Sequence, residues 1–112
     1  MTRYLISFPS DAMAHIPDSE GPAVADAAHT VVKEAMDAGV FVFAGGLHEE
    51  VSVVATDGTV TDAPAGEAYL GGLTIIDVPS REEALHWAAK IAVACRCPQE
   101  FREVGHDPLV GN

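Results

Sequence analysis

The sequence predicts a single α+β domain. The order of its strand-like and helix-like stretches predicts the fold class, and its length and composition predict one domain. Stretches with strand-like and helix-like patterns follow one another in the order strand, helix, strand, hairpin, strand, helix, strand. Strand–helix–strand units arranged in this way are typical of a ferredoxin-like βαββαβ fold, here with an inserted β-hairpin, whose antiparallel sheet carries both helices on one face. In addition, the chain has 112 residues, of which 48% are hydrophobic. We therefore expect a single domain over residues 1–112 with one modest core.

The first half of the chain supplies two strands, a helix and a hairpin. Residues 3–8 (RYLISF) have the aromatic and aliphatic character of a strand. After a polar loop, apolar residues recur at helical spacing over about 18 residues, and Gly39 is a typical helix stop. Residues 40–44 (VFVFA) are a nearly continuous apolar run, which suits a strand covered on both faces. Asp57-Gly58 then predicts a two-residue hairpin turn.

The second half predicts a strand, a helix and a last strand. Residues 73–78 (LTIIDV) form the strand, and Ser80 with Glu83 has the capping-box pattern that starts a helix. An apolar stripe continues that helix, and the sequence EFREV, which starts at residue 100, predicts the final strand. We expect the tail over 104–112 to be loose unless a partner holds it.

Charge composition excludes two classes of partner. Seventeen acidic residues against six basic ones give a net charge of −11. This charge repels phosphate backbones and anionic lipids, so we predict neither a nucleic-acid nor a membrane partner. No apolar run approaches the ~20 residues of a membrane-spanning helix, and the N-terminal stretch turns polar too soon for a signal peptide. A cytoplasmic protein is the expectation.

Cys95 and Cys97 are the two cysteines of the chain, with Arg96 between them. A disulfide across a single residue would be strained. No further Cys or His lies at the spacing of a zinc site. We therefore predict structural thiols, no metal and no cofactor.

The strand at residues 40–44 also predicts a homodimer. Alternation places Phe41 and Phe43 on one side and Val40 and Val42 on the other, and both sets are apolar. The two helices of one chain can cover only one face of the sheet. A second copy is the simplest cover for the other face, so we expect two sheets that enclose a shared core or cavity.

Five blocks of the chain also carry a family resemblance. They are residues 38–47 (AGVFVFAGGL), 61–64 (TDAP), 69–78 (YLGGLTIIDV), 80–92 (SREEALHWAAKIA) and 99–104 (QEFREV). In this order they resemble the YCII-related proteins, specifically the DGPF-type branch. The resemblance implies a dimeric α+β barrel on the ferredoxin-like fold and implies little about activity. Because some members are similar to proteins associated with extracytoplasmic-function sigma factors, it also implies an alternative, a non-enzymatic binding or regulatory module.

Two departures from the family pattern concern the site. Where the family loop reads Thr-Asp-Gly-Pro-Phe, this chain has Ala63 and Ala65 in place of Gly and Phe, so a pocket lined by this loop would have a different wall. The YCII branch has an acid–base pair proposed between a His on the first helix and an Asp-Pro after the Trp helix. Here His29 is displaced by one residue and Ile91-Ala92 replace Asp-Pro, so the pair is not carried over.

His48 is the first of two candidate catalytic residues. It follows the glycine-rich exit of the strand at 40–44 and precedes Glu49 and Glu50. Strand ends and their loops commonly display functional groups, and a neighbouring carboxylate would suit His48 to the role of a general base. The alternative is a solvated loop histidine.

Asp77 is the second candidate catalytic residue. By alternation it shares a strand face with Leu73 and Ile75. If that face meets the cavity, Asp77 is a charge in apolar surroundings that needs a partner, for which Arg102 is the candidate. If the strand ends before Asp77, the residue is only a turn carboxylate.

Three further residues are candidates for substrate binding. Asp62 opens the TDAP loop, where its carboxylate either faces a substrate or closes an Asx-turn. His29 borders the apolar stripe of the first helix, where it either faces a cleft or only marks the boundary of the stripe. Arg102, on the last strand, is the third.

These observations predict a small-molecule-binding α+β barrel. The enzymatic form of the prediction is acid–base catalysis on a carbonyl or enol-type metabolite, with His48 and Asp77 as the catalytic groups. The regulatory module is the alternative, so it stays open at this point whether the protein is an enzyme.

Overall fold

The computed structural model describes residues 1–63 and 68–111. This part of the chain contains two α-helices and six strands, with a 3-10 helix (Asp18–Glu20) directly before the first α-helix. The α-helices and strands are β1 (Thr2–Pro9), α1 (Gly21–Asp37), β2 (Phe41–Gly46), β3 (Ser52–Val54), β4 (Val60–Asp62), β5 (Leu70–Val78), α2 (Arg81–Cys95) and β6 (Glu100–Glu103). The predicted α+β class is confirmed.

The strands form two separate sheets. Four of them make an antiparallel sheet in the order β2-β5-β1-β6, so that β5 and β1 are central and β2 and β6 are its edges. The other two, β3 and β4, pair with each other as a hairpin. Gly58, with φ of 90°, supplies the left-handed residue of the hairpin loop. The hairpin forms where the Asp57-Gly58 pair predicts it, but the predicted two-residue turn is wrong: the Ala55 amide donates to the Thr59 carbonyl at 2.8 Å, so the loop has three residues, 56–58.

Local signals in the sequence set the helix ends. At the start of α2, the Ser80 hydroxyl accepts a hydrogen bond from the Glu83 amide at 3.2 Å, which satisfies one of the free amides of the first turn. Gly39, with φ of 74°, follows the last turn of α1 and permits the left-handed conformation that commonly ends a helix. Both ends agree with the sequence prediction.

The core lies between the helices and one face of the four-stranded sheet. Alternate residues of β1 and β5 supply the strand side of the core. These are Tyr4, Ile6, Ile76 and Val78. Small and aromatic side chains, mainly from α2, supply the helix side. These are Ala35, Ala84, Trp87, Ala88, Ile91 and Cys95. The ring of Phe101, on β6, stacks on Tyr4 at a centroid distance of 5.1 Å and extends this core to the sheet edge.

The alternation predicted for β2 does not hold, because a β-bulge lies between Phe41 and Phe43. Phe41 is in register with Ile76, which is fully buried against the helices, whereas Phe43 is in register with Ile75, which belongs to the other face. The prediction that Phe41 and Phe43 share one side is therefore wrong. A bulge adds one residue to a strand and shifts every later side chain by one position.

Neither α-helix of the described part of the chain packs on the second face of the sheet. Its residues come from the other alternate positions of the central strands, where Leu5 is in register with Ile75 and Ser7 with Leu73. The molecule measures 44 × 42 × 18 Å. Because packed layers lie about 10 Å apart, a thickness of 18 Å accommodates the sheet and one layer of helices but not a third layer. The strands of the β3–β4 hairpin are exposed along their whole length.

Candidate functional site

A cavity of about 510 Å³ lies between the helices and the sheet, beside the edge strand β2. Its wall is mainly apolar. The helices contribute Ala28, Val31, Val32, Met36 and Ile91. The strands contribute Phe8, Phe41, Phe43, Ala44 and Leu73. Three of the four phenylalanines of the chain therefore line this cavity.

Small residues leave the space that becomes the cavity. The second half of β2 is Ala44-Gly45-Gly46, which fills little volume at the sheet edge. On β5, Gly72 lies under the ring of Phe8: a Cβ atom at position 72 would lie only 2.7 Å from Cε1 of Phe8. The absence of a side chain at Gly72 thus lets the Phe8 ring lie against the sheet instead of in the cavity.

Few polar side chains reach the cavity wall. They are the imidazole of His29, which is exposed, the hydroxyl of Thr74 and the thiol of Cys95. No Lys, Arg, Asp or Glu is among the lining residues that the structure describes. The cavity therefore offers one exposed imidazole and two small polar groups within an uncharged surface.

His29 is the one predicted site residue that lines this cavity. His48 lies beyond the end of β2, where it is exposed; the preceding residue, Leu47, donates its amide to the Gly71 carbonyl at 2.8 Å. Asp77 lies toward the opposite end of β5, six residues from Gly71, which is about 20 Å at the rise of a strand. The two candidate catalytic residues are not brought together within the chain.

Asp77 belongs to the sheet face that lacks helices. Its register partner on β1 is Arg3, and the neighbouring pair on the same face is Leu5 with Ile75. The side chain thus shares a face with Ile75, as predicted. Its Oδ1 atom is buried and has no hydrogen-bond partner in the described part of the chain.

Arg102 does not form an ion pair with Asp77. It is exposed and in register with Leu5, so that the central strand β1 separates it from β5. Within residues 1–63 and 68–111, the ion pairs are Lys90 with Glu34 and Arg96 with Glu20. The predicted pairing of Arg102 with Asp77 in one chain is therefore absent.

Asp62 ends β4 and is exposed on the hairpin. The predicted TDAP loop continues through Pro64, and the substitution at Ala65 follows it; both positions lie outside the described residues. Asp62 is not among the described residues of the cavity wall.

The two thiols are free and buried. Burial raises the pKa of the Cys95 thiol, and the neighbouring Cys97 raises it further. Burial also raises the pKa of Cys97, while a hydrogen bond from the Gln99 side chain to its sulfur at 3.4 Å acts in the opposite direction. Across the described ranges, no group of three or more His, Cys, Asp or Glu residues is placed to hold a metal ion.

We expect both thiols to react slowly with a thiol reagent at pH 8 in the folded protein. They should react rapidly once urea has unfolded the protein. Thiolate is the reactive form, and a raised pKa lowers its fraction. Since the folded protein holds these protons more tightly than the unfolded chain, the free energy of unfolding should fall as the pH rises above the ordinary pKa of 9.0. Labelling kinetics of Cys95→Ser and Cys97→Ser separate the two thiols, and equal native and denatured rates would contradict the prediction.

No family model matches this chain, and no curated protein matches it. The resemblance to the YCII-related proteins therefore stays a prediction. Neither helix in the described part of the chain is long and apolar enough to span a membrane.

Sequence reasoning missed most of the cavity wall. Phe8, Thr74 and Cys95 line it without any motif that marks them as site residues. The one sequence signal was the run Ala44-Gly45-Gly46 at the end of an otherwise bulky strand. Such a run indicates missing side-chain volume at one end of the sheet.

Proposed function

We propose that the protein binds a small molecule in the cavity between its helices and its sheet. The observation that supports this function is the cavity itself. Its volume of about 510 Å³ falls within the range of small-molecule sites, which are typically apolar pockets with a few convergent polar groups. Of the two functions predicted from the sequence, the cavity favours this one over a regulatory module.

His29 is the group through which the cavity could support acid–base chemistry. The residue lines the cavity and is exposed, and an imidazole can act either as a general acid or as a general base. A carbonyl or enol-type metabolite bound in the cavity would present its polar group to this side chain. His48 and Asp77 do not contribute to this wall.

The second part of the proposal is a ferredoxin-like chain that pairs with a second copy as an α+β barrel of the YCII-related type. The strand order β2-β5-β1-β6, with the hairpin set apart, supports the ferredoxin-like assignment. The sheet face with Leu5 and Ile75 lacks a helix layer, which supports its use as the dimer interface.

The carboxylate of Asp77 adds support for the dimer. A buried oxygen without a hydrogen-bond donor destabilises a protein by about 1–3 kcal/mol, and Oδ1 of Asp77 has no donor among residues 1–63 and 68–111. Arg3 and Arg102 occupy the same face of the sheet. In a face-to-face dimer, the second copy brings two more guanidinium groups to this surface, where one can donate to Asp77.

A thermal-shift screen of metabolites tests the binding function. A ligand present at 100 times its Kd stabilises the folded state by about 2.7 kcal/mol, so it raises the Tm of the wild-type protein. We expect Gly72→Ala to abolish or strongly reduce this shift, because the new methyl group would displace the Phe8 ring toward the cavity.

The matched control for this screen is Gly105→Ala, since a Cβ atom at position 105 meets open space. We expect it to leave the ligand-induced shift unchanged. If Gly72→Ala is folded and responds to the ligand as fully as Gly105→Ala does, the ligand does not occupy this cavity. A screen in which no metabolite raises the Tm of the wild-type protein would speak against the binding function itself.

A further inference from the structure

The wall of the cavity restricts the chemistry of its ligand, and this inference rests on the proposed binding function. Phe8 and Phe41, which pack against the core, line the cavity together with Met36, and Phe43 borders it at the edge of the sheet. Aromatic rings pack favourably edge to face or in offset stacks, and a thioether makes favourable contacts with ring edges. The composition of the wall therefore favours a flat aromatic ligand over an aliphatic chain of equal volume.

The charge of the surroundings excludes an anionic ligand. No described residue in the wall carries a Lys or Arg side chain, and the whole chain has a net charge of −11. A phosphate, sulfonate or carboxylate placed in this cavity would lose its hydration without gaining a counter-charge, which is strongly unfavourable. Nucleotides and phosphorylated metabolites therefore do not fit this site.

One neutral polar group on the ligand does fit. The imidazole of His29 is exposed while it lines the cavity, so it lies where the cavity meets solvent. In its neutral form, imidazole has one nitrogen that accepts a hydrogen bond. A hydroxyl group that stays at this position can donate to that nitrogen while the rest of the molecule is buried.

We infer that the ligand is an uncharged aromatic molecule with one phenolic or enolic hydroxyl. Its ring system lies among the phenylalanines, and its hydroxyl donates a hydrogen bond to His29. In this arrangement the imidazole is a positioned acceptor for the hydroxyl proton, and Thr74 offers a second neutral polar contact on the sheet.

Three probes built on one ring system test this inference: naphthalene, 2-naphthol and 2-naphthyl phosphate. They share one ring system and differ in having no polar group, a hydroxyl or a phosphate. Equilibrium binding to the intact protein is measured by calorimetry or by the fluorescence of the probe. We expect 2-naphthol to bind most tightly, naphthalene about fivefold more weakly through the loss of one hydrogen bond, and the phosphate at least about tenfold more weakly than 2-naphthol.

His29 variants assign the contact. We expect His29→Ala to weaken 2-naphthol about fivefold and to leave naphthalene unchanged, because only 2-naphthol carries the hydroxyl. His29→Gln retains a hydrogen-bond acceptor and should restore part of the affinity for 2-naphthol. A general disturbance of the cavity would weaken both probes alike, so the difference between them is the decisive readout.

Two results would overturn the inference while the binding function stands. One is tighter binding of 2-naphthyl phosphate than of 2-naphthol, which would indicate a site for anions. The other is equal loss of naphthalene and 2-naphthol affinity in His29→Ala. If none of the three probes binds while the metabolite screen yields a ligand sensitive to Gly72→Ala, the cavity is a binding site for a different chemical class.

Discussion

Replacing Gly71 with alanine is expected to destabilise the fold by about 3 kcal/mol, at the upper end of the range for overpacking in a closely packed region. A Cβ atom at position 71 would lie 2.6 Å from Cα of Ser10 and 2.9 Å from its backbone nitrogen. These are main-chain atoms, so no change of side-chain rotamer can relieve the contact. The strands β1 and β5 would have to separate at this end.

The backbone around Gly71 is held on both sides, which limits relaxation. The Ser10 amide donates to the Tyr69 carbonyl at 2.7 Å, and the Leu47 amide donates to the Gly71 carbonyl at 2.8 Å. Movement of β5 away from Ser10 would therefore strain hydrogen bonds to two neighbouring segments. The substitution should weaken at least one of them in addition to the steric overlap.

Urea unfolding followed by circular dichroism measures the effect of Gly71→Ala. Gly46→Ala is the matched control, because a Cβ atom at position 46 meets nothing within 4 Å. The control should be neutral or slightly stabilising, since alanine lowers the entropy of the unfolded chain. Equal midpoints for the two variants, with unchanged m-values, would show that position 71 has room for a methyl group.

Replacing Ile75 with aspartate is expected to convert a dimer into monomers. Ile75 lies on the central strand β5, on the face of the sheet that lacks helices, opposite Leu5 in register. If this face meets its copy, each dimer would bury two new carboxylates, which would have to compete with Asp77 for the guanidinium groups of Arg3 and Arg102 and would not be fully compensated. An uncompensated buried charge costs about 3–5 kcal/mol, so the loss for two of them exceeds a factor of 10³ in the dissociation constant, at tenfold per 1.4 kcal/mol.

Sedimentation velocity at micromolar concentration distinguishes the mass of one chain from that of two. The matched control is Val93→Asp, because Val93 is 80% exposed on α2; it adds the same charge to the helix side and should leave the dimer intact. A wild-type protein that sediments as a monomer would refute the dimer. A dimer that survives Ile75→Asp would place the interface elsewhere on the molecule.

The sequence predicted those parts of the fold that depend on neighbouring residues. Ser80 and Glu83 mark the start of α2, and Asp57-Gly58 marks the hairpin, because capping and tight turns are decided by a few consecutive residues. The predicted strand at residues 73–78 starts earlier in the structure, at Leu70. Glycine pairs usually indicate a loop, but here Gly71 and Gly72 continue the strand because β1 approaches it closely.

Features that depend on distant residues could not be predicted in this way. The bulge in β2 appears only when the strand is paired with β5, since its sequence alone reads as regular alternation. The cavity depends on the position of the Phe8 ring over Gly72, two residues far apart in the chain. Of the predicted site residues, only His29 lines the cavity. Its position could be predicted because the border of an apolar stripe on a helix follows from residue spacing alone.

The contact between Phe8 and Gly72 has a consequence for variation among related chains. The space that an aromatic ring at position 8 fills is the space that a side chain at position 72 would need. The residues at these two positions should therefore change together. A chain with alanine at 72 should carry a smaller residue at 8, and the site would then keep its size with a less aromatic wall. Covariation of these positions would thus preserve the packing of this contact while it changes how aromatic the cavity wall is.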